Sequence, residues 1–329
     1  MRILAVVLIS GFLVAACQTG KTALVKSGGN QGSESLSLQE KANSELLSAA
    51  ESGDVTNLQQ SLQKGADVNA ENAKGWTALT FAAKVGNQSA VELLVRKGAD
   101  VNHRSSTSSG STILCFAVGS SNVAVVDFLL ANGANINGKS GNGMTPLQYL
   151  CAHGDTNLAA HLISKGADFN SPSQVDDRGH TWTPLMTAAN FRQIEIIKLL
   201  ISRGVKLEQT NNNGDTALME AAKRNVPDSV KLLIESGANV NARRVFGHTA
   251  LIYAAYNGQL ENIRLLLAAG ADPFAKATDS SDPASLNDPF DRYTAGDLAI
   301  QQGHPDALEL IHAAMDKIKA AQKAPDQSK

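Results

Sequence analysis

The stretch "GDTALMEAAKRNVPDSVKLLIESGANVNARRVFGHTALIYAA", residues 214–255, begins and ends on nearly the same nonapeptide, offset by 33 residues. Its first half reads as one structural unit. Thr216 stands where a helix begins, and a threonine hydroxyl accepts a hydrogen bond from the first free amides of a helix. Ala221-Ala222 are small enough to let a neighbouring helix come close. The segment "VKLLIESG" then carries apolar residues at helical spacing. Gly237 closes this second helix, where a residue that tolerates the left-handed conformation is favoured. "ANVNA" turns the chain outward into a finger. Such a unit cannot bury its own apolar face, so it must stack on copies of itself.

The copies are present. Gly-Ala-Asp/Asn, or a near variant, recurs at Gly65, Gly98, Gly133, Gly166, Gly204, Gly237 and Gly270, with gaps of 33, 35, 33, 38, 33 and 33 residues. In step with it run "GWTALTFAA", "GSTILCFAV", "GMTPLQYLC" and "TWTPLMTAA". Thr77, Thr112, Thr145, Thr183 and Thr249 repeat the role of Thr216, and Pro146 and Pro184 sit at a first helical position, where no amide hydrogen is missed. Three phased motifs at this period resemble the ankyrin repeat family over roughly residues 42–315.

The resemblance implies an all-α solenoid of stacked helix-turn-helix units with protruding finger loops. Eight units are expected within 42–320: a polar first cap over 42–72, six better-formed repeats, and a degenerate last one over 292–320. Two fingers are enlarged, Ser171–His180 and Thr278–Arg292, and insertions of this kind tend to map to a binding face. One departure stands out. The family usually places a histidine after "TPL", where it knits neighbouring units by hydrogen bonds. Here those places hold Thr80, Cys115, Gln148, Met186, Met219 and Ile252, so apolar packing is expected to hold the stack.

Before the repeats, Met1-Arg2 gives a short positive end, Ile3–Val14 a twelve-residue apolar run, and Ala15-Ala16 two small residues before Cys17. A bilayer-spanning helix needs about twenty apolar residues, so the run is too short to span. Its order of charge, apolar stretch and small residues reads as a secretory signal. Val14-Ala15-Ala16-Cys17 also resembles the bacterial lipobox, which implies cleavage after residue 16 and lipidation of Cys17; a plain signal cleaved near Ala16 is the alternative. Gln18 stands where an aspartate commonly retains a lipoprotein at the inner membrane, which points to the outer membrane, facing the periplasm. Residues 17–41 are rich in Ser, Gly, Gln and Lys and read as a flexible tether, and 321–329 as a disordered tail. Gly20-Lys21-Thr22 mimics the end of a phosphate-binding loop, but Ala15 occupies the place of its required first glycine.

The chain is 43% hydrophobic and 18% charged with a net charge of −2, which suits a folded domain and gives no basic surface of the kind nucleic acid demands. Its seven histidines are scattered, with no spacing suited to zinc. Cys115 and Cys151 fall on inner helices and read as small buried hydrophobes, with a disulfide between adjacent repeats as the alternative. No catalytic constellation, metal site, cofactor or small-molecule substrate is expected.

What remains is surface. Ankyrin arrays usually dock partners on the concave face, at finger tips and the exposed ends of the first helices. Carried onto this chain, those places are Trp76, Lys84 and Val85; Met144 and His153; His180, Trp182, Asn190 and Phe191; Lys223 and Arg224; Val245, Phe246, His248, Tyr256 and Asn257; and Phe290 and Tyr293. Trp182 and Phe290 have a second reading, as packing beneath the long fingers. The function this implies is a membrane-anchored module that binds a protein, as scaffold or stabiliser of an envelope protein, or as a periplasmic inhibitor that blocks an enzyme or toxin.

Overall fold

The inner helices of the repeats are seven or eight residues long and their outer partners mostly nine. Isolated helices are marginal below about 12 residues, so caps and stacking must hold these. The computed structural model describes residues 37–105, 110–173, 181–278 and 292–323. The expectations for the signal, Cys17, most of the tether, His180, Phe290 and the tail past 323 lie outside those residues.

Eight helix pairs are stacked in chain order among the described residues. They are α1 (Leu38–Ser52) with α2 (Val55–Gln63), α3 (Ala78–Val85) with α4 (Gln88–Arg96), α5 (Ile113–Gly119) with α6 (Val123–Ala131), and α7 (Pro146–His153) with α8 (Thr156–Ser164). Then follow α9 (Pro184–Asn190) with α10 (Ile194–Ser202), α11 (Ala217–Lys223) with α12 (Pro227–Glu235), α13 (Ala250–Tyr256) with α14 (Leu260–Ala268), and α15 (Ala295–Gln301) with α16 (Pro305–Lys323). Inner helices α3 to α13 touch one another in sequence, and each outer helix touches its neighbours. The core is one continuous seam of Ala, Leu, Ile and Val from Leu46 to Ile311.

The three sequence signatures each have a local cause. Every turn threonine caps its inner helix, its hydroxyl accepting the amide three residues on, at 3.3 Å for Thr77 and 3.2 Å for Thr145. The Gly-Ala pair is a Schellman cap. Gly98 N–H donates to the Val95 carbonyl and Ala99 N–H to that of Leu94, both at 3.0 Å, and the alanine is buried. The same two bonds recur at Gly237-Ala238. An alanine at Gly237 would meet nothing within 4 Å, so only its φ of +92° opposes the change. At Gly247 (φ +81°) an added Cβ would lie 2.6 Å from the Lys276 carbonyl oxygen. Gly237→Ala is therefore expected to cost about 1 kcal/mol and Gly247→Ala at least about 2 kcal/mol, read by urea unfolding.

The structure also shows what the finger segments do between turns. Asn69 Oδ1 accepts from Asp100 N–H, Asn102 Oδ1 from Asn135 N–H, Asn137 Oδ1 from Asp168 N–H, and Asn170 Oδ1 from Lys206 N–H, all at 2.9–3.0 Å. Glu208 and Asn241 continue the row to Asn239 and Asp272. A second row runs behind the inner helices. Asn87 and Asn122 cap their outer helices through Oδ1 while Nδ2 donates to the carbonyls of Gly53 and Gly86 in the preceding unit. Gln193 and Gln259, one methylene longer, keep the cross-unit bond to Ala152 and Lys223 but give up the cap.

These rows add polar links, outside the "TPL" positions, to a stack expected to be held more by apolar packing. At the "TPL" position itself, Met186, Met219 and Ile252 are buried and apolar as expected. Gln148 is not idle there: buried, it accepts from Thr145 N–H and donates to the Trp182 carbonyl of the next unit. Two further differences emerge. A small antiparallel ribbon, β1 (Lys276–Thr278) with β2 (Arg292–Thr294), pairs Ala277 with Tyr293 at the neck of the second enlarged finger, so the solenoid is mostly rather than wholly helical. Helix α1 starts at Leu38 rather than 42, and α16 runs to Lys323, past the expected end at 320. Cys115 and Cys151 are buried and free, as small buried hydrophobes are, rather than joined in the alternative inter-repeat disulfide.

Candidate protein-binding stripe

Finger tips and inner-helix ends meet on one face. In the unit of α3, Lys74 from the turn and Lys84 from the helix end place their Nζ atoms 5.7 and 4.8 Å from the ring centre of Trp76. Trp76 is half-buried and packs edge-on against Phe81 at 5.3 Å and Phe116 at 5.2 Å. It anchors the turn, and its cations are what solvent meets.

Further along, the inner-helix ends alternate apolar and polar. Val85 is 55% exposed, and Phe191 and Tyr256 are each 41% exposed. His153 is exposed and stacks on Tyr149 at 3.9 Å, its Nδ1 2.8 Å from the Tyr149 carbonyl oxygen. Arg224, also exposed, donates from Nε to Asn190 Oδ1 across 2.7 Å, tying one helix end to the one before it. Val245, at 56% exposure, adds an apolar finger tip beside Phe246, whose φ is +73°.

The other expected positions are taken up inside the molecule. Trp182 packs against the core; its N–H donates to Ser173 Oγ at 2.9 Å and its carbonyl accepts from Ser173 N–H at 2.7 Å. Met144 and Tyr293 are half-buried, Tyr293 against the core from strand β2. His248 stacks on Tyr253 at 5.5 Å. Thus Lys84, His153, Phe191, Arg224 and Tyr256 form the accessible line, and Trp76, Met144, Trp182, Lys223, Phe246, His248 and Tyr293 lie partly beneath it.

Lys223 has the most occupied position. Its Nζ lies 2.9 Å from both Asp215 Oδ2 and Glu220 Oε1, and 4.4 Å from the Tyr253 ring centre. Tyr253 Oη donates to Asp215 Oδ1 at 3.1 Å and accepts from Arg244, which lies 3.9 Å from the same carboxylate. Burial alone would raise the Asp215 carboxyl, but Lys223, Arg244 and Tyr253 outweigh it and hold the group below its ordinary range. For Glu220 burial prevails over Lys223 and pushes the carboxyl up. This cluster, two charges of each sign between α11 and α13, was not legible in the repeat pattern. The available signal was Asp215 itself, an acid directly before a turn threonine, with Glu220 inside an otherwise apolar helix.

Among the described residues no group of three His, Cys, Asp or Glu side chains is placed to hold a metal ion. Burial raises the thiols of Cys115 and Cys151, which disfavours the thiolate a nucleophile needs. The pair of His161 and Asp127, 2.8 Å apart, sits on the outer helices α8 and α6, where the His161 hydrogen bond lowers the carboxyl.

The comparisons with known proteins agree with this architecture. A family model of ankyrin repeats matches in three copies, over residues 46–140, 137–211 and 200–277. The ankyrin repeat and SAM domain-containing protein 6 of Rattus norvegicus is 36% identical over 77 residues, and its Mus musculus counterpart 35%. Those matches span 23% of this chain and 8% of either relative. Among solved structures, the human ASB11 ankyrin repeat domain superposes with a TM-score of 0.58 at 25% identity, over 69% of this chain and 98% of that one. Ankyrin repeats are protein–protein interaction modules, and this chain belongs to the ankyrin repeat family.

Proposed function

We propose that this protein is exported, lipidated at Cys17, and held at the outer membrane facing the periplasm, where its stripe binds and stabilises a resident envelope protein without catalysis. The observation that carries the binding half is the exposure of Val85 and Phe191, each eight residues past its turn threonine, and of Tyr256, seven past its own, at the ends of inner helices whose core positions are sealed. Large apolar side chains left in solvent at successive inner-helix ends suit a partner. The location half rests on Val14-Ala15-Ala16-Cys17 behind a short apolar run. Two or three lipid chains, at about 0.8 kcal/mol per buried methylene, hold a protein on a bilayer durably.

Two experiments test the halves separately. Cys17→Ala should move the protein from the detergent phase to the aqueous phase and abolish labelling by a fatty-acid probe; unchanged partitioning would refute lipidation. Phe191→Ala with Tyr256→Ala should weaken capture of the partner by roughly 30-fold, as two interface anchors of about 1 kcal/mol each do. The circular dichroism of that variant should stay as in the parent, since neither ring is in the core.

A further inference from the structure

We propose that two copies of this protein associate end to end as a two-fold dimer, through the face that α15 and α16 leave open at the end of the stack. Six residues past their turn threonines, Ala83, Val118, Cys151, Ala189, Ala222 and Ala255 are at most 1% exposed. The corresponding residue of the eighth unit, Ile300, is 59% exposed. The outer helices repeat the pattern. Three places after their first residue, Val91, Val126, Ile197, Val230 and Ile263 are fully buried, whereas Leu308 is only partly so. Among the described residues no unit follows α16, so Ile300 and Leu308 mark the surface on which a further unit would stack. The face thus continues the interface that joins every preceding pair of units.

The two ends of the array are finished differently. At the other end, the side of α1 and α2 turned away from the core is a groove lined by Ser44, Glu45, Ser48, Ser52, Asn57 and Lys64. Lys64 Nζ lies 2.7 Å from Glu45 across it. That is the polar outer face a terminal unit uses to stay soluble. The α15–α16 end presents an isoleucine instead.

This contrast selects a second copy, met through the same face. Head-to-tail joining would set Ile300 against the hydroxyls and ion pair of the first unit, which offer it no apolar counterpart, and would propagate into filaments. A further repeat stacked at the usual spacing meets an obstacle as well. The place of Ile300 holds alanine in most preceding units, and isoleucine adds three carbons where the next inner helix would come close. A two-fold arrangement avoids both difficulties. Each Ile300 lies beside the other copy's α15, apolar surface meets apolar surface, and the contact closes on itself. Helices of seven and nineteen residues, about 10 and 28 Å long, form a small face, so the association is a weak one.

The test cross-links the full chain carrying Cys17→Ala, in detergent micelles, with a short bis-maleimide. Cys115 and Cys151 are buried, so an introduced cysteine is the accessible thiol. At about 100 μM protein, Gln301→Cys is expected to give at least about fivefold more covalent dimer than Ser48→Cys at the opposite end. Adding Ile300→Glu should cut the Gln301→Cys dimer at least about fivefold, with the urea midpoint unchanged because the side chain is largely in solvent. Ile300→Ala, the residue most other units carry there, repeats the measurement should the glutamate perturb folding.

Equal cross-linking of the two cysteine variants would overturn the proposal, and so would Gln301→Cys dimers indifferent to both Ile300 substitutions. Dimers formed only on mixing the Ser48→Cys and Gln301→Cys proteins would overturn it in favour of a head-to-tail array. Absence of any Gln301→Cys dimer would overturn it whether or not that thiol takes up a single maleimide.

Discussion

Asp215→Asn is expected to lower the unfolding free energy by roughly 3 kcal/mol at pH 7. The side chain is isosteric, so the effect isolates charge. Its removal leaves Lys223 and Arg244 with Glu220 as their remaining carboxylate, and both cations keep only about a quarter of their side-chain surface in water (24% and 23%). That partial access places the cost at the lower end of the range for breaking a buried pair.

The pH dependence follows from the direction of each shift. Asp215 is held below its ordinary range, so its stabilisation is present above the unfolded carboxylate range and disappears as pH falls through the depressed folded value. The difference between the parent and Asp215→Asn should therefore shrink below about pH 4. Glu220 has the opposite sign: its raised carboxyl favours the protonated form, whose contribution is lost as pH rises. Glu220→Gln keeps an acceptor for Lys223 and is expected to cost under about 1 kcal/mol at pH 7. Urea titrations of both variants at pH 7 and pH 3 check the sign and the contrast together; equal costs for the two would contradict the arrangement of the cluster.

The second large effect is expected at Leu200→Ala. Leu200 is fully buried in α10, which touches α8, α9 and α12. A core Leu→Ala change costs about 3 kcal/mol, from lost transfer energy and the cavity left behind. In a stack where each unit contacts only its neighbours, that loss is concentrated at one place along the chain. Urea unfolding should change from one transition to two, with amides of α11 to α14 exchanging at a different free energy from those of α3 to α6. A single transition merely shifted to lower urea would show that the stack stays cooperative across the defect.

Much of this fold was legible in the residues because each repeat signature has a local physical cause. Thr-Pro, the Ala-Ala pairs and Gly-Ala encode a capped start, a close approach and a Schellman end, and all three depend on neighbours within a few positions. The eight-unit count followed from that periodicity. What was not legible depends on partners about thirty residues away. The finger row requires Asn102 to meet Asn135, and a single repeat does not state that its asparagine faces the next amide rather than solvent. Gln148 belongs with these, since its residue type alone does not reveal a bond to Trp182.

The candidate site divides in the same way. Its register could be read, because the places before and after each threonine are set by the repeat. Which side chains stay accessible could not be, because that depends on what the next unit covers. Trp76 reads as an anchor from residue type, and the structure turns it inward against aromatic neighbours. Trp182 takes its second reading, packed against the core beside Ser173. Phe191 and Tyr256, by contrast, keep a large part of their surface in solvent at the ends of their helices.

The row of finger hydrogen bonds makes the units interchangeable parts. Each link joins a side-chain oxygen of one unit to a main-chain amide of the next, so it asks nothing of the side chain it reaches. Excising residues 214–246 would bring Glu208, which now holds the Asn239 amide, opposite Asp272, the amide now held by Asn241. The same cut removes Asp215, Glu220, Lys223 and Arg244 together, so no net charge is stranded. An array built this way can lengthen or shorten by whole units in the course of descent while its tips diversify independently.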